Sequence, residues 1–314
     1  MTALVASSRR SQHIELMLLV SVCVLAPFFV YPIFVMKVLC FALFASAFNL
    51  LIGYVGLLSF GHAMFFGSAA YAAGHAAKVW GAPPEVAILF GTVVAGLLGA
   101  VTGAVAIRRQ GIYFAMITLG FAQMVYFFCL QTTFTGGENG LQAVPRGTMF
   151  GFLNLDNTPV LYGVVLAIFL GGFLLIHRTI NSPMGEVLKA IREHEPRTTS
   201  LGYDVDHYKL IAFVLSAALA GLAGGTKAIV FQLASLTDVH WSMSGEVILM
   251  TLIGGLGRVS GPLVGALIMV TLEHYLAPLG AWVTVVQGGI FVVCVLAFRQ
   301  GIMGEVSRLV KRPL

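Results

Sequence analysis

Charged residues are scarce in this sequence, and their scarcity excludes a water-soluble fold. Only 10% of the 314 residues are charged and 58% are hydrophobic, whereas a soluble globular chain carries roughly 25% charged residues. The hydrophobic residues form repeated runs of about 17 to 25 residues, the length that an α-helix needs to cross the hydrocarbon core of a bilayer. The alternating ten-residue segments typical of a membrane β-barrel are not the pattern seen. The composition therefore predicts an all-α integral membrane protein.

The sequence also lacks the motifs of several enzyme classes. It contains no Gly-Lys dipeptide and hence no P-loop for ATP. It has neither the His-Glu-x-x-His helix of zinc peptidases nor the Gly-x-Ser-x-Gly elbow of hydrolases. The net charge of +5 comes from dispersed residues, so we expect no nucleic-acid groove. Cys23, Cys40, Cys129 and Cys294 show no metal-ligand spacing, and we interpret them as small packing residues.

The hydrophobic runs predict about ten transmembrane spans. They cover residues 14–30, 33–52, 62–78, 86–107, 112–131, 159–177, 209–231, 245–256, 262–276 and 282–298. Two of them, 245–256 and 262–276, are short for a full crossing. The alternative for the first span is a signal peptide with Arg9 and Arg10 as its charged region, but its long apolar stretch favours a retained helix.

The distribution of Lys and Arg predicts the orientation of these spans, because such residues collect in cytoplasmic loops. With the N-terminus inside, 14 of the 18 basic residues fall on the cytoplasmic side. These are Arg9, Arg10, Arg108, Arg109, Arg178, Lys189, Arg192, Arg197, Lys209, Arg258, Arg299, Arg308, Lys311 and Arg312. Lys37, Lys78, Arg146 and Lys227 do not. The asymmetry predicts an even number of spans and two cytoplasmic termini.

Glycine is abundant, with 36 residues, and several glycines recur at intervals of four. The clearest rows are Ala95–Gly99–Gly103, Ala217–Gly221–Gly225 and Gly257–Gly261–Gly265. Small residues with this spacing line one face of a helix and let a neighbouring helix approach closely. We therefore predict that these rows are helix-packing faces.

Two segments are neither spans nor short turns. Residues 132–158 form a predicted periplasmic loop, in which Gly136, Gly137 and Asn139 belong to a glycine-rich stretch. This stretch favours an ordered loop that faces a partner or ligand over an inert surface turn. Residues 178–207 form a predicted cytoplasmic loop that begins with a helix, capped by Ser182 and with Pro183 in its first turn.

The predicted cytoplasmic helix is amphipathic. Val187, Leu188 and Ile191 form an apolar stripe, and Glu186, Lys189, Arg192 and Glu193 surround it. Such a stripe needs a cover. A groove on a soluble partner is favoured over the membrane surface.

Five motifs follow one another along the chain. They are residues 49–71, NLLIGYVGLLSFGHAMFFGSAAY; GIYFAM at 111–116; the glycine-rich loop at 135–140; KAIRE at 189–193 with LGY at 201–203; and GGLG at 254–257. Together they resemble the permease subunits of branched-chain amino acid ABC importers, and the SFGHA form at 59–63 resembles the LivM-type subunit. The resemblance covers nearly the whole chain, so residues 1–314 are expected to form a single transmembrane domain with the ABC importer permease fold.

The resemblance implies a multi-pass protein of the bacterial inner membrane that works with other chains. The expected partners are a homologous second permease, two cytoplasmic ATPases that bind ATP and Mg, and a periplasmic substrate-binding protein. No cofactor is expected in this chain. The resemblance also implies that the cytoplasmic helix is the ATPase-coupling helix, with residues Gly185, Glu186, Val187, Leu188, Ala190, Ile191, Arg192 and Glu193.

The motif at 59–67 supplies the candidates for the translocation path or for a helix break. These are Ser59, Gly61, His62, Phe65 and Gly67. A break near Gly61 leaves backbone groups without helical partners, and we expect the His62 ring to satisfy them.

Two alternatives to an ATP-driven importer are weighed. An ion-coupled secondary transporter needs ionisable residues inside the membrane, but Lys227, Glu246, Glu273 and His274 lie near span ends and are interpreted as interfacial or packing residues. A membrane-embedded enzyme is the second alternative, but the sequence lacks the enzyme motifs named above. The substrate stays open, because relatives with these motifs carry branched-chain or other amino acids, urea and short amides, or aromatic acids.

Overall fold

The computed structural model describes residues 21–27, 29–280, 282–297 and 301–310. Residues 21–27 are helical, and the rest of the predicted first span, with Arg9 and Arg10, lies outside the described residues, as do Arg299, Lys311 and Arg312. The helices that follow are α1 Pro32–Asn49, α2 His62–Lys78, α3 Pro84–Ala106, α4 Ile112–Gln131, α5 Thr158–Ile180, α6 Pro183–Ser200, α7 Val205–Phe231, α8 Leu236–Val239, α9 Trp241–Gly254, α10 Gly261–Leu276, α11 Trp282–Ala297 and α12 Ile302–Val310.

Short elements join these helices. A π-helical segment, Leu50–Val55, continues α1, and 3₁₀ turns cover Thr133–Thr135, Gly137–Asn139 and Ala277–Leu279. The strands are β1 Leu141–Gln142, β2 Thr148–Met149, β3 Leu153–Asn154 and β4 Leu233–Ala234. They pair antiparallel as β1 with β4 and β2 with β3.

Within the described residues, five helices are long and apolar enough to cross a membrane: Pro32–Val55, Pro84–Ala106, Ile112–Gln131, Thr158–Ile180 and Val205–Phe231. Each coincides with a predicted span. α2 has 17 residues, with the predicted bounds, while α9 and α10 have only 14 and 16. The protein is thus a mostly helical, multi-pass membrane protein, and the total of ten spans remains a prediction.

The core lies between α1, α2 and α7, which pack against one another. Their neighbours α3, α4 and α5 surround them and expose apolar faces. In the most apolar stretch of Pro32–Val55, 94% of the residues are buried within the chain, against 28% for Ile112–Gln131. Many apolar residues on these surrounding helices have no cover from the rest of the described chain, as is typical of helix faces that meet lipid or a partner.

The glycine rows bring α3 and α7 together. A Cβ at Gly99 would stand 2.5 Å from the Ala217 Cβ, and one at Gly221 would stand 2.3 Å from the Ala95 Cβ. The first two rows therefore face each other. In the third row, a Cβ at Gly265 would stand 1.7 Å from the Met250 carbonyl oxygen, so α9 and α10 form a tight hairpin. The prediction that these rows pack helices is confirmed for the first two rows; in the third, Gly261 and Gly265 belong to α10, but Gly257 lies in the turn before it with φ of +73°.

α7 separates the two long loops. It has 27 residues, which at 1.5 Å per residue makes it about 40 Å long. The 132–158 loop meets its C-terminal end, where β1 pairs with β4 and Arg146 donates to the Val230 carbonyl at 2.8 Å. α6 meets its N-terminal end, where Lys209 and Glu195 form an ion pair. The two loops therefore lie at opposite ends of the bundle.

Candidate functional site

The predicted cytoplasmic helix is present as α6, and its start is as expected. The Ser182 hydroxyl accepts a hydrogen bond from the Gly185 N–H at 3.4 Å, and Pro183 is the first helical residue. The helix continues to Ser200, farther than the stripe alone indicates. His194 interrupts it with non-helical dihedrals of −158° and 87°. α6 therefore consists of two helical segments joined by a kink.

The apolar stripe of α6 packs against its own chain. Leu188 is fully buried and Ile191 is 3% exposed, while Val187 is half-buried. The prediction that a partner covers this stripe is therefore wrong for Leu188 and Ile191. The periodicity indicates that this helix face is buried against something. In the structure it is buried against the helical bundle of the same chain.

The remaining residues of the predicted coupling set divide between the bundle and solvent. Gly185 is buried against the end of α5, where a Cβ would stand 2.1 Å from the Ile180 carbonyl oxygen. Glu186, Ala190 and Glu193 are exposed. These three side chains are accessible to another protein, as are His194 and Arg197 farther along α6.

Arg192 joins α6 to the end of α1. Its guanidinium donates to the Gly53 carbonyl oxygen and lies beside Gly257, and its aliphatic stem packs on Gly56. Gly53 also touches the α9–α10 turn, because a Cβ there would stand 2.8 Å from the Gly257 nitrogen. The glycines thus allow three backbone segments and one guanidinium to meet.

Asn49 fastens the same junction through its side-chain amide. Its Oδ1 accepts from the Gly257 N–H at 3.1 Å, and its Nδ2 donates to the Arg258 carbonyl at 2.8 Å. The side chain is 2% exposed. Two partly buried backbone groups of the α9–α10 turn are thereby satisfied from α1.

The break between α1 and α2 is held by hydroxyl groups. Ser59 Oγ accepts from the Gly61 N–H at 3.2 Å, Thr118 Oγ1 from the Phe60 N–H at 3.2 Å, and Ser244 Oγ from the Ala63 N–H at 2.9 Å. Ser59 and Gly61 therefore lie at a helix break, as predicted.

The expectation that the His62 ring satisfies this break is wrong. His62 Nε2 contacts Ser216 Oγ at 2.8 Å, and that hydroxyl donates to the Ala47 carbonyl at 2.5 Å. Because the hydroxyl proton goes to Ala47, Nε2 is the donor to Ser216. The ring therefore links α2 to α7 and α1.

The other residues of this motif are enclosed by the chain. His62 and Phe65 are fully buried, and the His62 ring makes edge contacts with Phe48, Phe65 and Phe213. A Cβ at Gly67 would stand 2.3 Å from a Val239 methyl. The structure thus places these residues in packing, and their role in a translocation path remains a prediction.

The glycine-rich stretch of the 132–158 loop is a compact turn. Gly136 and Gly137 have φ of +78° and +59°, and a Cβ at Gly136 would stand 2.3 Å from the Gly140 carbonyl oxygen. Thr135 is buried and its hydroxyl lies 2.5 Å from the Cys129 carbonyl oxygen. Asn139 stays exposed.

Two ion pairs lie toward the end of the bundle opposite α6. Lys227 Nζ contacts both carboxylate oxygens of Asp238, at 2.9 and 2.7 Å, and both residues are buried. Lys37 pairs with Glu273 at 2.9 Å. The sequence reasoning missed Asp238, although the Ser235-x-x-Asp238 spacing is that of a capping box.

These features define a multi-pass membrane protein whose loop helix is fastened to its transmembrane core. The family model for the permease component of branched-chain amino acid transport systems matches residues 33–295. The chain therefore belongs to that family of transport permeases.

Relatives in the comparison are permeases. The chain is 27% identical over 278 residues to the high-affinity branched-chain amino acid transport system permease protein LivM of Escherichia coli; the match covers 81% of this chain and 65% of the relative. It is 31% identical over 147 residues to a probable LivH permease of Methanocaldococcus jannaschii, covering 41% and 43%. The ribose import permease RbsC of Escherichia coli is 29% identical over 213 residues, covering 62% of each. No solved structure gives a significant match.

Proposed function

We propose that this chain is the LivM-type permease subunit of an ATP-driven importer, which carries branched-chain amino acids from periplasm to cytoplasm. The observation that carries the proposal is the family match over residues 33–295, together with a loop helix fastened to the core. The proposed partners are a LivH-type second permease, two ATPases that bind ATP and Mg, and a periplasmic binding protein. The proposed location is the bacterial inner membrane, with ten spans and both termini cytoplasmic.

In this proposal α6 passes ATPase movement to the bundle. The exposed side chains of Glu186, Ala190 and Glu193 meet the ATPase, while Leu188 and Ile191 hold α6 to the permease. The bundle alternates between outward-open and inward-open states. The exposed faces of α3, α4 and α5 supply the surfaces for lipid and for the second permease.

The test is uptake by the assembled transporter. Vesicles containing both permeases and the ATPases would receive binding protein outside and ATP inside, with labelled leucine, isoleucine or valine. ATP-dependent accumulation is expected. Labelled urea and labelled phenylalanine are offered to parallel sets of the same vesicles. If urea alone is accumulated, the permease assignment stands and the branched-chain substrate is wrong.

A further inference from the structure

The kink in α6 separates two attachments to the bundle. The second segment has its own start, because the His194 ring accepts from the Arg197 N–H at 3.4 Å and Pro196 lies in its first turn. Pro196 has no N–H to donate to the carbonyl of residue 192, and its ring opposes a continuous helix. The kink therefore follows from the presence of Pro196 in the sequence.

The first attachment, before the kink, is Arg192. It contacts Gly53 at the end of α1 and lies beside Gly257 in the α9–α10 turn. This segment is therefore attached to α1 and to the turn that joins α9 and α10.

The second attachment, after the kink, is Glu195. Its Oε1 accepts from Lys209 Nζ at 2.6 Å and from Gln110 Nε2 at 2.7 Å. Lys209 is 2% exposed and lies near the start of α7, and Gln110 lies between α3 and α4. Because a buried ammonium needs its counter-charge, Lys209 and Glu195 are held together more firmly than an exposed pair would be.

We propose that Glu195 is a positioning residue which transmits movement of α6 to the central helix α7, through Lys209, and that His194 is the hinge that separates this route from the Arg192 route. The inference rests on the proposed function, since it assumes that an ATPase moves α6. Hinges absorb changes in backbone dihedrals at a few residues between rigid elements. Here the segment before His194 contacts α1 and the α9–α10 turn, and the segment after it contacts α7.

The experiment uses the assembled transporter in vesicles and measures substrate transported per ATP hydrolysed. The wild type is measured first, and a wild type without ATP-dependent uptake refutes the proposed function itself. Glu195→Gln should lower the transport ratio about tenfold, in the range of measured couplings between sites, while basal ATP hydrolysis persists. The swap Glu195→Lys with Lys209→Glu should restore most of the ratio. Glu305→Gln, the same charge change on α12, should leave it unchanged.

A second variant separates transmission from folding. Glu195→Ala with Lys209→Met removes the link without leaving a buried charge unpaired, so the permease should reach wild-type abundance. It should still lose the transport ratio. A wild-type ratio in this double variant, or in Glu195→Gln, would overturn the proposal. The proposal would also be overturned if the charge swap failed to restore the transport ratio and every variant had reduced permease abundance. Glu195 would then only support folding.

Discussion

Replacing Gly224 with alanine should separate the two central helices α2 and α7. A Cβ at this position would stand 1.9 Å from the Phe66 carbonyl oxygen and 2.7 Å from its carbonyl carbon. The shorter distance is 1.5 Å less than the 3.4 Å at which ordinary contact begins. Since the obstacle is helix backbone rather than the end of a flexible side chain, the whole helix must move.

The cost follows from this displacement. Overpacking of a well-packed core costs about 1–3 kcal/mol, and a backbone obstacle places Gly224→Ala at about 3 kcal/mol. Gly171→Ala on α5 is the matched control, because a Cβ there meets nothing within 4 Å. Its alanine should be neutral or stabilise the helix by up to about 1 kcal/mol.

The assay is reversible unfolding of the purified permease pair in mixed micelles, with increasing denaturing detergent. Gly224→Ala should unfold at a clearly lower detergent fraction than Gly171→Ala. Equal midpoints for the two variants would refute the close approach of α2 and α7.

Two further predictions use the same preparation, and a third uses the permease pair in sealed vesicles. Ile191→Asp should lower the free energy of unfolding by about 3 kcal/mol or more even without ATPases, because its charge would be buried against this chain; a defect that appears only with ATPases present would contradict this. Lys227→Met should cost about 3–5 kcal/mol by leaving the Asp238 carboxylate unpaired, and adding Asp238→Asn should recover much of the loss; an unchanged midpoint in the single variant would contradict the buried pair. Cysteines placed at Glu138 and Arg192 should react with an impermeant reagent from opposite sides of the membrane, and labelling from one side would contradict the topology.

The helices could be predicted from the sequence because apolar runs and their boundaries are local. His62–Lys78 and Ile112–Gln131 have the predicted bounds, and each run follows directly after a glycine. The Ser182 start of α6 was also readable, since a cap is recognised within four residues. The glycine rows were readable as faces, although their partners were not.

The contacts that make up the site could not be predicted in this way. Asn49 and Gly257 are 208 positions apart, and no local pattern indicates that an amide will satisfy a distant turn. The stripe on α6 was identified correctly, but amphipathicity is silent about which surface covers it. The link from Glu195 to Lys209 was missed for a related reason, because the kink at His194 turns the side chain toward α7.

The central claim is that this chain is a permease driven by partner ATPases. Identifying the energy source of uptake tests this claim most directly. Vesicles with the two permeases and ATPases, and matched vesicles with the permeases alone, would be compared for uptake of labelled leucine in the presence of binding protein. The vesicles with ATPases receive ATP inside. The vesicles with the permeases alone receive imposed proton and sodium gradients without ATP. The account predicts accumulation only with ATPases and ATP. Accumulation by the permeases alone, driven by an ion gradient, would contradict it.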